Sequence, residues 1–292
     1  MSEQDYRIVS LPDGRRLAFA EYGDRQGQPL FFFHGFPGSR YDGAYTGQEA
    51  AGMGIRLIAP DRPGMGYSDF KPERSLLDWP DDVCFLADSL GLETFGVLGY
   101  SGGGPHALAC AYKIPERLNG IGVMAGVGPV TEPGALQGMM KNNVQIFSLA
   151  RKAPWLLNLL YRMQVPIDEK KLMQAATAQM SKPDVAAMQE PMVLHDIVQD
   201  FNEAFRQNTK GVVQEGALFG SDWGFQLSDI QAPVNLWQGE EDTNVPAQMG
   251  RYQAGKIPNC IAKFYPGEGH ISLVTNHIRE ILMAYAHPEP AL

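Results

Sequence analysis

Cysteine is scarce: the chain of 292 residues holds three, Cys84, Cys110 and Cys260, set far apart and each within an apolar stretch. That spacing fits no disulfide framework and no metal-ligand pattern, and it predicts free thiols in the core of a protein from a reducing compartment. Long apolar runs are missing too, since none approaches the roughly eighteen residues that a membrane span needs. Met1 to Tyr6 is polar, without the basic start and apolar core of a signal peptide. A cytoplasmic protein with no membrane span is therefore expected. Blocks of like charge are likewise absent: the net charge of −9 is spread along the chain and no basic patch interrupts it, which argues against nucleic acid as a partner. There is no internal repeat and no low-complexity segment, and the sequence leaves the oligomeric state open. What is present is an apolar content of 44%, enough for one large core or a core with a modest second lobe.

Short apolar runs alternate with helical stretches through the first half. Tyr6 to Ser10 and Arg16 to Tyr22, joined by Pro12-Asp13-Gly14, predict an antiparallel hairpin. Leu30 to Phe33, Ile55 to Ala59, Phe95 to Leu98 and Gly120 to Ala125 predict buried strands, with helices near Ala44 to Met53, Leu76 to Leu90 and Pro105 to Tyr112. This is the rhythm of a parallel sheet built from βαβ units. From about Gly128 to about Trp223 the pattern turns helical and is broken by prolines; then Val234 to Gln238, Gln248 to Lys256, Ile261 to Tyr265 and Ile271 to Tyr285 resume the alternation. The expected class is α/β, with residues 1–127 and 224–292 as one core and residues 128–223 as an inserted helical lobe.

Gly99-Tyr100-Ser101-Gly102-Gly103 follows a predicted strand and opens a predicted helix. A serine stands exposed at such a turn only where the backbone is strained and its neighbours are small. The turn also aims the Gly102 N–H and the open helix end at the point where Ser101 attacks. Serine at its ordinary pKa is a poor nucleophile, so a base and an orienting carboxylate are required. Asp242 and His270 each follow a predicted strand, and ligands of an open parallel sheet bind beyond the carboxyl ends of its strands. Ser101, Asp242 and His270 are thus expected on one edge. Glu240 and Glu241 compete with Asp242 for the orienting role.

In motif order and context the chain resembles a serine hydrolase of the α/β-hydrolase fold with a helical cap inserted after the sixth strand. His34-Gly35-Phe36-Pro37-Gly38-Ser39 resembles that family's oxyanion loop, which implies that the N–H of Phe36 joins that of Gly102 in holding an oxyanion. Asp61-Arg62-Pro63-Gly64-Met65-Gly66-Tyr67-Ser68 resembles its loop after the fourth strand, and the acid of the family falls at the third position after Gly239, which is Asp242. The resemblance implies a hydrolase; no cofactor and no metal are expected, the methionines and aromatics of the inserted segment suit a small apolar acyl compound, and Phe36, Tyr100 and Trp155 are expected substrate contacts. Because the nucleophile is serine, epoxide hydrolysis and dehalogenation are excluded: an alkyl group on Ser101 would be an inert ether.

Carboxylic esters come first among acyl substrates because their alcohols leave easily. A proline-iminopeptidase-like aminopeptidase is the nearest alternative, although Phe36 and Gly102 depart from that pattern; perhydrolase behaviour would use the same triad. A ligand receptor with little turnover is the alternative of another class. His34, Asp61 and Arg62 read as braces of their loops, and His106, tethered beside the elbow, is awkwardly placed to act as base. His195, His277 and His287 read as ordinary polar positions. The inserted segment holds seven of the thirteen methionines (Met139, Met140, Met163, Met173, Met180, Met188 and Met192), which suits either helix packing or an adaptable apolar pocket.

Overall fold

A computed structural model describes residues 6–286; Met1 to Asp5 and the tail from His287 onward, with the readings placed on them, lie outside the described residues. Eight strands form one sheet: β1 (Arg7–Ser10), β2 (Arg16–Gly23), β3 (Gln28–Phe33), β4 (Ile55–Pro60), β5 (Phe95–Tyr100), β6 (Leu118–Met124), β7 (Val234–Gly239) and β8 (Cys260–Tyr265). Their order across the sheet is β1-β2-β4-β3-β5-β6-β7-β8. β1 and β2 pair antiparallel, β2 pairs antiparallel with β4, and every later pairing is parallel. Parallel strands are buried on both faces, which is why β3, β4 and β5 read as nearly unbroken apolar runs.

Two apolar layers cover the sheet. Helices α1 (Asp42–Ala51) and α11 (His270–Ala286) close one face, where Ala50, Leu273, Ile278, Ile281 and Leu282 meet Leu30, Phe32, Leu57 and Leu98. Helices α2 (Trp79–Ser89) and α3 (Gly104–Lys113) cover the other through Val83, Leu86, Leu108 and Ala111, and α10 (Ala247–Lys256) packs against β7 and β8. Between β6 and β7 the chain is helical: α4 (Lys141–Lys152), α5 (Pro154–Gln164), α6 (Glu169–Gln179), α7 (Lys182–Met188), α8 (Pro191–Ala204) and α9 (Lys210–Phe219).

Cys110 is fully buried, whereas Cys84 and Cys260 are only half-buried at the edge of the same core; all three are free. Among the described residues no helix is long and apolar enough to cross a membrane.

Buried charge joins α8 and α9 to the sheet. Glu203 pairs with Arg40 at 2.7 Å, and Arg40 in turn pairs with Asp61 at 2.8 Å. Glu215 of α9 takes Arg62 on one side and Arg74, at 2.7 Å, on the other. Burying such ions is expensive, and the cost is offset in part by these pairings, while Arg40 and Arg74 each keep two buried nitrogens without a hydrogen-bond partner among the described residues. Both arginines together hold Glu215 well below the usual carboxylate range despite its burial.

Candidate active site

β5 ends in a tight turn, Ser101–Gly103, before α3 begins. Ser101 sits at φ 51°, in the left-handed region that a non-glycine residue avoids. The glycines around it are there for space. A Cβ on Gly99 would lie 2.3 Å from the carbonyl oxygen of Gly103, and one on Gly103 would lie 2.0 Å from that of Phe33. The strand and helix can cross this closely only without side chains. Gly102 abuts the loop after β3: a Cβ there would stand 2.5 Å from the Cβ of Phe36 and 3.3 Å from its amide nitrogen. The two N–H groups expected to hold an oxyanion thus belong to touching segments.

The loop that carries Phe36 is braced from several sides. The Gly35 N–H donates to Asp42 Oδ2 at 2.7 Å, and Arg62 donates to the carbonyls of His34 and Gly35 at 2.6 and 2.8 Å. His34 accepts from the Arg62 N–H with Nε2 at 3.2 Å and offers Nδ1 to the Gly35 carbonyl at 2.9 Å. This fixes one neutral tautomer, and burial, helped by the nearby Arg62 charge, holds its pKa far below the ordinary imidazole value. His106 is also buried, 3.0 Å from the Gly102 carbonyl, and burial with the neighbouring arginine holds it down to about 3. His34, Asp61 and Arg62 therefore stand as the loop braces they were expected to be.

Asp242 and His270 meet. The His270 Nδ1 lies 2.7 Å from Asp242 Oδ2, and both side chains are buried. Asp242 is itself fixed: Oδ1 accepts from the N–H groups of Asn244 and Val245 at 2.8 Å each, and Oδ2 accepts from Gln238 Nε2 at 3.1 Å. With Nδ1 donating to the carboxylate, Nε2 is left as the acceptor nitrogen. Burial pulls the His270 pKa down, but Asp242 overrides it and raises the imidazole above its ordinary value. Of the competing acids, Glu240 pairs instead with Arg251 at 2.6 Å.

Ser101 and His270 open on one cavity of about 340 Å³, lined also by Phe36 and Tyr100. Its far wall comes from the segment between β6 and β7, through Phe147, Tyr161 and Met188 on helices and Met140 and Met180 at helix ends. Phe36 stacks on Phe147 with ring centres 6.3 Å apart and meets Phe219 edge-on at 5.3 Å. Trp155, an expected substrate contact, is a correction: it is 71% exposed and is not among the residues lining the cavity. Leu157 and Tyr161 mark the inward face of α5, and Trp155 lies about 200° round the helix from Leu157. The methionines divide similarly, with Met163 and Met192 turned to solvent.

The sequence reading missed three carboxylates on the wall: Asp42, Asp196 and Asp200. Asp200 accepts from the Ser39 N–H at 2.8 Å and its hydroxyl at 2.6 Å, and from the Asp42 N–H at 3.1 Å. Burial pushes Asp42 up to about 6, against the opposing Gly35 hydrogen bond. Among the described residues no lysine or arginine lines the cavity. These aspartates stand in helical segments with no motif around them, so their sequence context gives no sign of the wall they share.

A model of the alpha/beta hydrolase fold family matches residues 28–277. A 2-hydroxy-6-oxononadienedioate/2-hydroxy-6-oxononatrienedioate hydrolase of Paraburkholderia phymatum is 26% identical over 90% of this chain and 88% of its own. A non-heme chloroperoxidase of Streptomyces lividans is 26% identical over 92% of this chain and 94% of its own. Among solved structures, a hydrolase from Pseudomonas aeruginosa shares the fold with a TM-score of 0.73 and 18% identity, covering 97% of this chain and 99% of that one. With the sheet order, the strained serine turn and a family match along most of its length, this chain belongs to the alpha/beta hydrolase fold family.

Proposed function

We propose that the protein is a serine hydrolase that cleaves a small, uncharged carboxylic ester through an acyl-enzyme on Ser101. The observation that carries this reading is the 2.7 Å contact of His270 with Asp242 at the edge of the cavity that Ser101 enters. His270 takes the Ser101 proton as the hydroxyl oxygen attacks the carbonyl carbon, then passes it to the departing alcohol. It next draws a proton from water as the water oxygen attacks the acyl carbon, then returns that proton to the Ser101 oxygen as the acyl–serine bond breaks and the carboxylic acid leaves. Asp242 keeps the imidazole in the working tautomer and balances its positive charge. The N–H groups of Phe36 and Gly102 hold the oxyanion formed in both halves, a contribution of about 2.7–4 kcal/mol for each donor in comparable sites. No cofactor takes part in this scheme.

Helices α4 to α9 act in it as a cap, residues 128–223, over a core of residues 1–127 and 224–292. The aromatic and methionine side chains on the cap wall suit an apolar acyl group. The three aspartates also favour a second reading, an aminopeptidase of the proline-iminopeptidase kind, because they offer partners to a substrate ammonium.

A fluorophosphonate probe should label wild-type protein and leave Ser101→Ala unlabelled. Turnover of short-chain p-nitrophenyl esters, run beside proline p-nitroanilide, separates esterase from peptidase. Labelling that survives the substitution overturns the assignment of Ser101. A protein that hydrolyses neither substrate but retains ligand binding is a receptor.

A further inference from the structure

The helix that begins with His270 has no cap of its own. The residue before it is Gly269, so the side-chain acceptor that usually serves the first N–H groups of a helix is missing from the local sequence. The acceptor comes from α7, across the fold. Asp184 Oδ2 accepts from the His270 N–H at 2.9 Å, and Oδ1 accepts from the N–H groups of Ile271 at 2.7 Å and Ser272 at 3.1 Å. The Ser181 hydroxyl donates to Oδ2 at 2.8 Å and fixes the carboxylate from behind. Asp184 is fully buried. A Cβ on Gly269 would lie 2.3 Å from Oδ2, so only glycine lets the carboxylate sit flat across the turn. Sequence alone would assign Ser181-Lys182-Pro183-Asp184 to local capping of α7 and miss this role.

We propose that Asp184 is a positioning residue for His270, supplied by the segment between β6 and β7 and acting through the first turn of α11. The proposal rests on the reading of Ser101, Asp242 and His270 given above. Asp242 holds the imidazole by its Nδ1, and Asp184 holds the backbone from which that imidazole projects. A ring pinned at both ends keeps its orientation beside the cavity that Ser101 also lines, where an error of about 1 Å costs on the order of 10²-fold in rate. Asp184 is also anionic company for the ring. Four groups from four elements bear on it: Asp242 after β7, Asp184 on α7, Asp42 on α1 and Tyr100 on β5. Burial lowers the imidazole pKa, and the three carboxylates, Asp242 foremost, raise it. Met188, one turn beyond Asp184 on α7, lines the cavity, so the element that fixes His270 also forms part of the cavity wall.

The test uses the full chain and Asp184→Asn, which keeps the shape and removes the charge. An NMR titration of the His270 ring, assigned with His270→Gln, should show the midpoint moved to lower pH in the variant. With a neutral p-nitrophenyl ester, kcat should fall by about 10²-fold while KM changes little. Asp184→Glu, which restores the charge, should recover part of the titration shift. Hydrogen exchange in the wild type gives a second reading that does not depend on the variant folding: the amides of His270, Ile271 and Ser272 should exchange slowly, although first-turn amides ordinarily exchange fast. A purely structural staple would lower stability and leave the His270 midpoint unmoved. An unmoved midpoint in folded Asp184→Asn, or fast exchange at those three amides, overturns the proposal. Wild-type protein without ester turnover or Ser101 labelling overturns the esterase reading instead, and the titration and exchange still decide whether Asp184 holds His270.

Discussion

Ser101 holds a conformation that costs about 1–3 kcal/mol, because a side chain at positive φ crowds its own backbone. Strain of this size persists only where the surroundings enforce it, here through Gly99 and Gly103 on either side and the Val127 N–H donating to the Ser101 carbonyl at 2.9 Å. Glycine at position 101 would remove the strain. Ser101→Gly should therefore resist urea better, by on the order of 1 kcal/mol after its entropy cost in the unfolded chain is counted, while ester hydrolysis is lost. A variant less stable than wild type would mean that the turn is not strained. Ser101 is legible in the sequence, since a serine set among glycines between an apolar run and a helix marks a turn built to expose its hydroxyl. The orientation of Trp155 is not, because aromatic character in a helix says nothing about which side faces inward.

At the scale of elements, α9 matters through one side chain. Glu215 is the shared partner of Arg62 and Arg74, and Arg62 in turn holds the carbonyls of His34 and Gly35, just before Phe36. Glu215→Gln leaves two buried guanidinium groups short of a counter-charge, a change that typically costs about 3–5 kcal/mol. Chemical denaturation should show that loss, and kcat should fall with it as the loop loosens. The pH dependence has a definite sign. The folded-state pKa of Glu215 is depressed, so its stabilisation is complete above the ordinary glutamate value near 4.5 and drains away as pH falls below it. Wild-type stability should therefore drop below that pH more steeply than that of Glu215→Gln. Elements of this fold are readable from period: β3, β4 and β5 as apolar runs, α11 as a closing helix. Contacts such as Glu215 to Arg62, separated by 153 positions, have no period and leave no trace in a local window.

For the whole molecule, the distribution of charge around the cavity sets a substrate preference. Three carboxylates and no lysine or arginine line it among the described residues; burial raises Asp42 to about 6 and, with Asp42 beside it, holds Asp200 well above the usual carboxylate range, so these two share their negative charge. A dianionic substrate, of the kind that the name of the Paraburkholderia relative describes, would enter against that charge without a cation to meet it. In a matched ester series differing only in the acyl terminus, kcat/KM should rank neutral or ammonium-bearing esters above carboxylate-bearing ones by at least about tenfold. The gap should narrow in Asp42→Asn/Asp200→Asn, and equal rates for all three would remove charge as a selector.

The ties between Ser39 and Asp200 and between Arg62 and Glu215 also bear on how the protein is made. They span 161 and 153 positions, so a nascent chain that has already delivered β3, β4 and the serine turn still lacks the carboxylates that lock the loop beside them. Long-range closures of this kind are slow, and translation adds residues at only about 5–20 per second. For several seconds of synthesis the ribosome therefore displays the Ser101 turn beside a loop that still lacks its braces. The cavity is completed late, after α9 has emerged and, with β7, β8 and α11 still to come, only once His270 has followed.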